Sequence, residues 1–149
     1  MDGDWQNQSF MQKVQSGYEN AWKTFVKPSR FRYGVEALEP RVFVWSEQNI
    51  LKREDFVIKN KRGLDMVYSM FIPQLMKADE KRTCLIYLHS QSGCRIEGLF
   101  LREFCAKNNI YLCLFDFSAC GLSDGKYVSL GHYEKYDLSL VDLDYIDSE

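Results

Sequence analysis

Two uninterrupted apolar runs set the terms for the fold. "TCLIYLH" (Thr83 to His89) and "IYLCLFDF" (Ile110 to Phe117) hold too few polar residues for strands with one wet face. A strand without period-two alternation suits a sheet covered on both sides, which is the situation in parallel sheets flanked by helices. The segment between them fits that plan. "RIEGLFLREFCAKNN" places Ile96, Leu99, Phe100 and Phe104 on one helical face, and Asn108-Asn109 closes it.

Upstream, "EDFVIKNKRGLDMVYSMFIP" reads as two short strands joined by a turn at Asn60-Lys61-Arg62-Gly63. Downstream, a last helix is expected to start near Gly131 or His132, with Leu138, Val141 and Tyr145 on one stripe. Strand, strand, strand, helix, strand, helix is an α/β order. The expected architecture is an incomplete sheet of about four strands with two flanking helices.

The first 40 residues differ in character. Phe10, Val14, Tyr18, Trp22 and Phe25 or Val26 form a one-faced helical stripe, Ser9 suits its N-cap, and Pro28 should stop it at or before Lys27. The stripe admits two readings. It packs on its own domain, or it docks on a partner or a membrane surface. The chain is therefore divided at 1–40, an amphipathic helix and lead-in, and 41–149, the α/β part.

Charge and composition remove several functions. The chain of 149 residues is 46% apolar and 15% aromatic, enough for a packed core, and its net charge of −2 gives no general attraction to nucleic acid. No apolar stretch approaches the length of a membrane span. The acidic, apolar-poor start "MDGDWQNQSF" is neither a secretory signal nor an Arg-rich transit peptide. Five cysteines without a C-x-x-C pair read as reduced thiols, which points to an intracellular and, most simply, cytoplasmic protein, with a cilium or organelle left open. Two histidines, His89 and His132, do not make a His-based metal cluster. No metal or cofactor is expected.

One motif carries chemical interest. Gly121-Leu122-Ser123-Asp124-Gly125 satisfies G-x-S-x-G, the nucleophile elbow of serine hydrolases. An elbow needs a strand running straight into its first glycine and a helix directly after it. Here Ser118-Ala119-Cys120 intervene after Phe117, and Gly125 with the β-rich "KYVSL" follows. Ser123 is accordingly expected to be a turn or cap hydroxyl.

With "CLIYLHSQSG", a helix and then "FDFSACGLSDGKYVSLGHYEKYDL", the chain from about Arg53 to Val141 resembles the first half of an α/β-hydrolase. It is similar to the serine-aminopeptidase-like and monoacylglycerol-lipase-like hydrolases, notably those of protists. That family shows H-G-x-x-G after one strand and D-x-x-G-x-G-x-S-x-G after the next.

The resemblance makes His89, Ser90, Gln91, Ser92 and Gly93 the oxyanion-loop candidates. It makes Asp116, Gly121, Ser123 and Gly125 a family turn motif. It also implies that the nucleophile stands one βα unit later, on a fifth strand, so that nucleophile, acid and base would lie beyond Glu149. Ser90 and Ala119 stand where the family has glycine, which weakens the case for catalysis.

The expectation is a non-catalytic, degenerate or truncated hydrolase-like protein acting as an interaction or structural subunit. The alternative is the N-terminal half of a serine hydrolase completed by another segment, whether from a separate chain or a longer gene product. In the family's strand order the absent fifth strand leaves one edge of strand 83–89 unpaired. Protein partnership or self-association is therefore expected there, through Leu85 and Tyr87, and on the helical stripe of Phe10, Val14, Tyr18, Trp22 and Phe25. The tail "SLVDLDYIDSE" is the one spare segment nearby.

Overall fold

The computed structural model describes residues 9–27, 29–75 and 83–147, with side chains through Val141. Helix α1 spans Phe10–Val26, and a short 3-10 turn follows at Val35–Leu38. Five strands come next: β1 Val42–Ser46, β2 Asn49–Lys59, β3 Asp65–Pro73, β4 Cys84–Tyr87 and β5 Tyr111–Phe115. Between β4 and β5 lie a 3-10 segment, Arg95–Leu101, and helix α2, Arg102–Lys107; helix α3, Glu134–Asp147, ends the described chain.

The strands form one sheet in the order β1-β2-β3-β5-β4. The expected α/β sheet is present, with a strand more than the four anticipated. β1 pairs with β2 antiparallel, and β2 begins at Asn49 rather than near Glu54. The β2–β3 turn falls where expected. The Asn60 side-chain carbonyl accepts the N–H groups of Arg62 and Leu64, and Gly63 takes φ +74°, a left-handed conformation that glycine adopts without cost.

Among the described strands only β4 and β5 are parallel; β3 meets β5 antiparallel. The unbroken apolar run is explained for β5, whose Leu112 and Leu114 face one core while Cys113 and Phe115 face the other. The same reading is corrected for β4. It is shorter than Thr83–His89 and ends the sheet, with β5 its one neighbouring strand among the described residues, and each of its residues is half-buried rather than enclosed.

One face of the sheet is covered by Leu99, Cys105 and Ala106, packed on Leu51, Phe71, Leu112 and Leu114. The opposite face is covered by α3, whose Leu138 and Val141 pack on Met66, Met70, Cys113 and Phe115. Tyr145 of that stripe lies outside the described side chains. The tail 139–147 is helical and belongs to α3, so it is not a strand over the β4 edge.

The helical face expected over residues 95–109 is also corrected. Residues 95–101 wind as 3-10, with three residues per turn instead of 3.6, and this rotates the stripe. Leu99, Arg102, Cys105 and Ala106 point inward, whereas Phe100 and Phe104 are exposed.

Helix α1 has the Ser9 N-cap as a full capping box: the Ser9 hydroxyl accepts the Gln12 N–H, and the Gln12 side chain accepts the Ser9 N–H. It ends at Val26; Pro28, expected to stop it, lies outside the described residues. Of the two readings of its stripe, packing on its own domain is not what the structure shows. No residue of α1 is buried, and Phe10, Met11, Val14, Tyr18 and Phe25 are exposed. Among the described residues its contacts with the body are at its C-terminal end: Val26 accepts the Val128 N–H at 2.8 Å, and the Trp22 and Tyr127 rings lie 6.0 Å apart.

Candidate functional site

The loop Asp116–Gly125 leaves the C-terminal end of β5 and is organised around one carboxylate. Asp116 is fully buried. Its Oδ1 accepts the Arg95 backbone N–H at 2.7 Å; its Oδ2 accepts the Leu122 N–H at 2.9 Å and the Tyr33 hydroxyl at 2.5 Å. The Arg95 guanidinium stands 3.8 Å away and donates through Nε to the Tyr33 oxygen and through Nη1 to Ser69 Oγ. Ser69 in turn donates to Asp55, which pairs with Arg53. Burial, reinforced by the neighbouring Asp116 charge, pushes the Tyr33 phenol well above its ordinary value, so it stays a hydrogen-bond donor.

This polar chain ties the lead-in (Tyr33), the 3-10 segment (Arg95), β3 (Ser69) and β2 (Arg53, Asp55) to the motif loop. Arg30 adds two bonds, to the carbonyls of Ala119 and Gly125. None of these partners was picked out in the sequence. The one clue was an acid ending an apolar strand, because a buried carboxylate requires a matching cation and donors.

The glycines of the motif have distinct reasons. Gly121 takes φ +46°, and a Cβ there would fall 2.3 Å from the Asp116 carboxyl carbon. Gly125 takes φ +120°, with the Ala119 backbone nitrogen 2.9 Å from where its Cβ would be. Ala119 itself sits at φ +69°, a left-handed position that explains why glycine suits it better.

Ser123 lies completely buried. Its hydroxyl donates to the Asp116 carbonyl at 2.6 Å and accepts the Val67 N–H at 3.0 Å, which pins the loop against β3. A second brace comes from Asn60, whose side-chain amide donates to Ser118 and Asp137 beside an open cavity of about 410 Å³.

The loop after β4 faces the motif loop from the other side. His89 is buried. Its Nε2 accepts the Phe117 N–H at 3.0 Å, which leaves the ring proton on Nδ1, directed at the Ser90 carbonyl 2.7 Å away. The Gln91 side chain donates to the Phe25 carbonyl at 2.6 Å, anchoring the end of α1. Gln91 and Ser92 give their backbone N–H groups to no other described residue. Gly93 is buried and closes the turn by donating to the Ser90 carbonyl.

His89, Ser90 and Gln91 line a cavity of about 210 Å³ together with Phe117, Cys120, Leu130 and Glu134. Ser123 does not line it. Burial, with a further push from Asp116, raises the Cys120 thiol to about 11, so it is not a thiolate at neutral pH. At Glu134, burial favours the acid form, but the Ser129 hydroxyl and the N–H groups of Ser129 and Gly131 outweigh it and lower the net value. Among the described residues no group of three or more His, Cys, Asp or Glu is placed to hold a metal ion.

The partner-binding candidates fall in two places. Leu85 and Tyr87 are on β4, which has no described strand on its outer side, and Tyr87 meets the exposed Phe100 ring edge-on at 5.9 Å. Phe10, Val14, Tyr18, Trp22 and Phe25 are on α1. No described helix is long and apolar enough to cross a membrane.

No protein-family model matches the sequence, and no curated protein matches it. Solved structures do resemble it. The Pyrococcus furiosus esterase Pf2001 superimposes with a TM-score of 0.57 at 22% identity, over 83% of this chain and 42% of the esterase. In another crystal form the same esterase gives 0.50 at 21% identity, over 76% and 40%. The chain thus spans less than half the length of the structures it resembles, and what it shares with them is an esterase-like α/β fold.

Proposed function

We propose that this chain is a non-catalytic, hydrolase-like unit that works by binding another polypeptide, with the free edge of β4 as its contact. The observation that carries the first half is the state of Ser123. A nucleophilic hydroxyl must reach a substrate carbonyl and be deprotonated by a base. The Ser123 hydroxyl is closed off from solvent, and both its donor and an acceptor position are taken by backbone. Its function is architectural.

The test is a fluorophosphonate probe with an esterase assay on the purified chain. No serine should be labelled, and Ser123→Ala should instead cost about 1–3 kcal/mol of stability, because the Val67 N–H loses its acceptor. Labelling at Ser123 that the substitution removes would sink the proposal.

The second half rests on β4. Edge strands present unpaired backbone groups, and natural proteins blunt them with charge, proline or bulges. Leu85-Ile86-Tyr87, which pairs with β5 and no other described strand, has neither a charge nor a proline. We expect native mass measurement to find the chain in dimers or complexes, with the outward amides of residues 85–87 slowed in exchange only on assembly. A monomer at every concentration with those amides freely exchanging would refute the contact.

A second reading has an observation of its own. The Gln91 and Ser92 N–H groups have no acceptor among the described residues, and His89 holds their loop against Phe117. Such donors suit an oxyanion hole. They favour the N-terminal half of a serine hydrolase whose nucleophile, acid and base come from another segment. Adding that segment would then produce labelling on the added part, never on Ser123.

A further inference from the structure

A 17-residue helix that buries none of its residues is unusual. Isolated helices of this length are marginal in water, and most draw their stability from packing an amphipathic face. The capping box secures the N-terminal end of α1, and contacts with Val128 and Gln91 secure the C-terminal end. The face of Phe10, Met11, Val14, Tyr18 and Phe25 between them is left open. Trp22 lengthens the apolar strip toward Tyr127, itself exposed.

Charge says what covers it. Residues 9–32 hold five cations, Lys13, Lys23, Lys27, Arg30 and Arg32, against one acid, Glu19, although the whole chain carries −2. Lys27, Arg30, Arg32 and Lys126 converge around one polar cavity just beyond the C-terminal end of α1; among the described residues none of the four is paired with an acid, and Arg30 is held by the carbonyls of Ala119 and Gly125. An aromatic-rich apolar face with adjoining unpaired cations matches a bilayer surface. The rings enter the headgroup region, and the cations meet anionic lipid.

We propose that α1 and this cationic cluster form a docking surface for an anionic lipid bilayer, with α1 lying in the plane of the interface. The proposal is independent of whether the chain is catalytic and of what pairs with β4.

The experiment is cosedimentation of the full chain with phosphatidylcholine vesicles, and with mixed phosphatidylcholine–phosphatidylserine vesicles, at low and high salt. The chain should bind the mixed vesicles, release in high salt, and leave pure phosphatidylcholine largely unbound. In a chain carrying Trp5→Phe and Trp45→Phe, the emission of Trp22 should shift to the blue and be quenched by brominated acyl chains. Phe25→Glu should abolish binding without altering the fold, since the residue is exposed; circular dichroism checks this. Arg32→Gln with Lys126→Gln should weaken binding roughly 25-fold, at about fivefold per charge. Equal binding to both vesicle types, insensitivity to Phe25→Glu, or no vesicle binding would each overturn the proposal. So would a dimer that Phe25→Glu dissociates in the absence of vesicle binding, because the face would then belong to a second copy.

Discussion

Replacing Asp116 with alanine should cost about 3–5 kcal/mol, the range for removing one partner of a buried charge pair and stranding the other. Arg95 would keep its place beside Ser69 and Tyr33 but lose its carboxylate. The Tyr33 hydroxyl and the N–H groups of Arg95 and Leu122 would lose their acceptor at a fully buried position. Typical domains are stable by about 5–15 kcal/mol, so the variant should sit close to unfolding at room temperature. Urea denaturation of the parent and of Asp116→Asn, which retains one carbonyl acceptor, brackets the effect if the alanine variant cannot be purified. An Asp116→Ala chain losing less than about 1 kcal/mol would show that the carboxylate does not organise the loop.

Gly121→Ala should cost about 2–5 kcal/mol, from two sources. A non-glycine residue at φ +46° pays about 1–2 kcal/mol in backbone strain. The new methyl would also meet the Asp116 carboxylate at 2.3 Å, and forcing atoms into a packed site adds about 1–3 kcal/mol. Gly63→Ala separates the two. Gly63 also has positive φ, at +74°, but nothing lies within 4 Å of its missing Cβ, so that variant should lose only the strain component. Thermal melts of both variants against the parent provide the comparison. Equal losses at the two positions would mean that the Asp116 contact has no energetic weight.

Much of the fold was legible because it depends on local chemistry. The Asn60–Gly63 turn follows from an asparagine that caps its own turn and a glycine free to go left-handed, and the structure has both. Ser9 as N-cap marked the start of α1, and the structure adds Gln12 as its partner in a capping box. The apolar run at β5 was correctly assigned to a strand enclosed on both faces, because its residues alternate between two real cores.

The misreadings share one cause. Periodicity says which residues lie together, not what lies opposite them. β4 and β5 have similar runs, but β4 has one neighbour and β5 two. The stripe on α1 was correctly identified, yet nothing in it says whether a protein core waits to receive it. Phe100 and Phe104 were assigned inward because a 3.6-residue period was assumed where the chain winds in 3-10 turns.

The candidate site divides the same way. The sequence by itself determined four of the five strands, the helices α1 and α3, the glycine positions of the motif loop and the mismatch of Gly121–Gly125 with a strand-to-helix elbow. Those depend on neighbours in the chain and on backbone sterics. Only the tertiary structure decided that Ser123 bridges Val67 and Asp116, and that Arg95, 21 residues before Asp116, supplies its cation. It alone showed that Tyr33, from the lead-in, donates to the same carboxylate across a separation of 83 residues. A buried carboxylate must find donors and a countercharge, but which residues supply them depends on how sheet, loop and lead-in come together, and no spacing in the sequence records that.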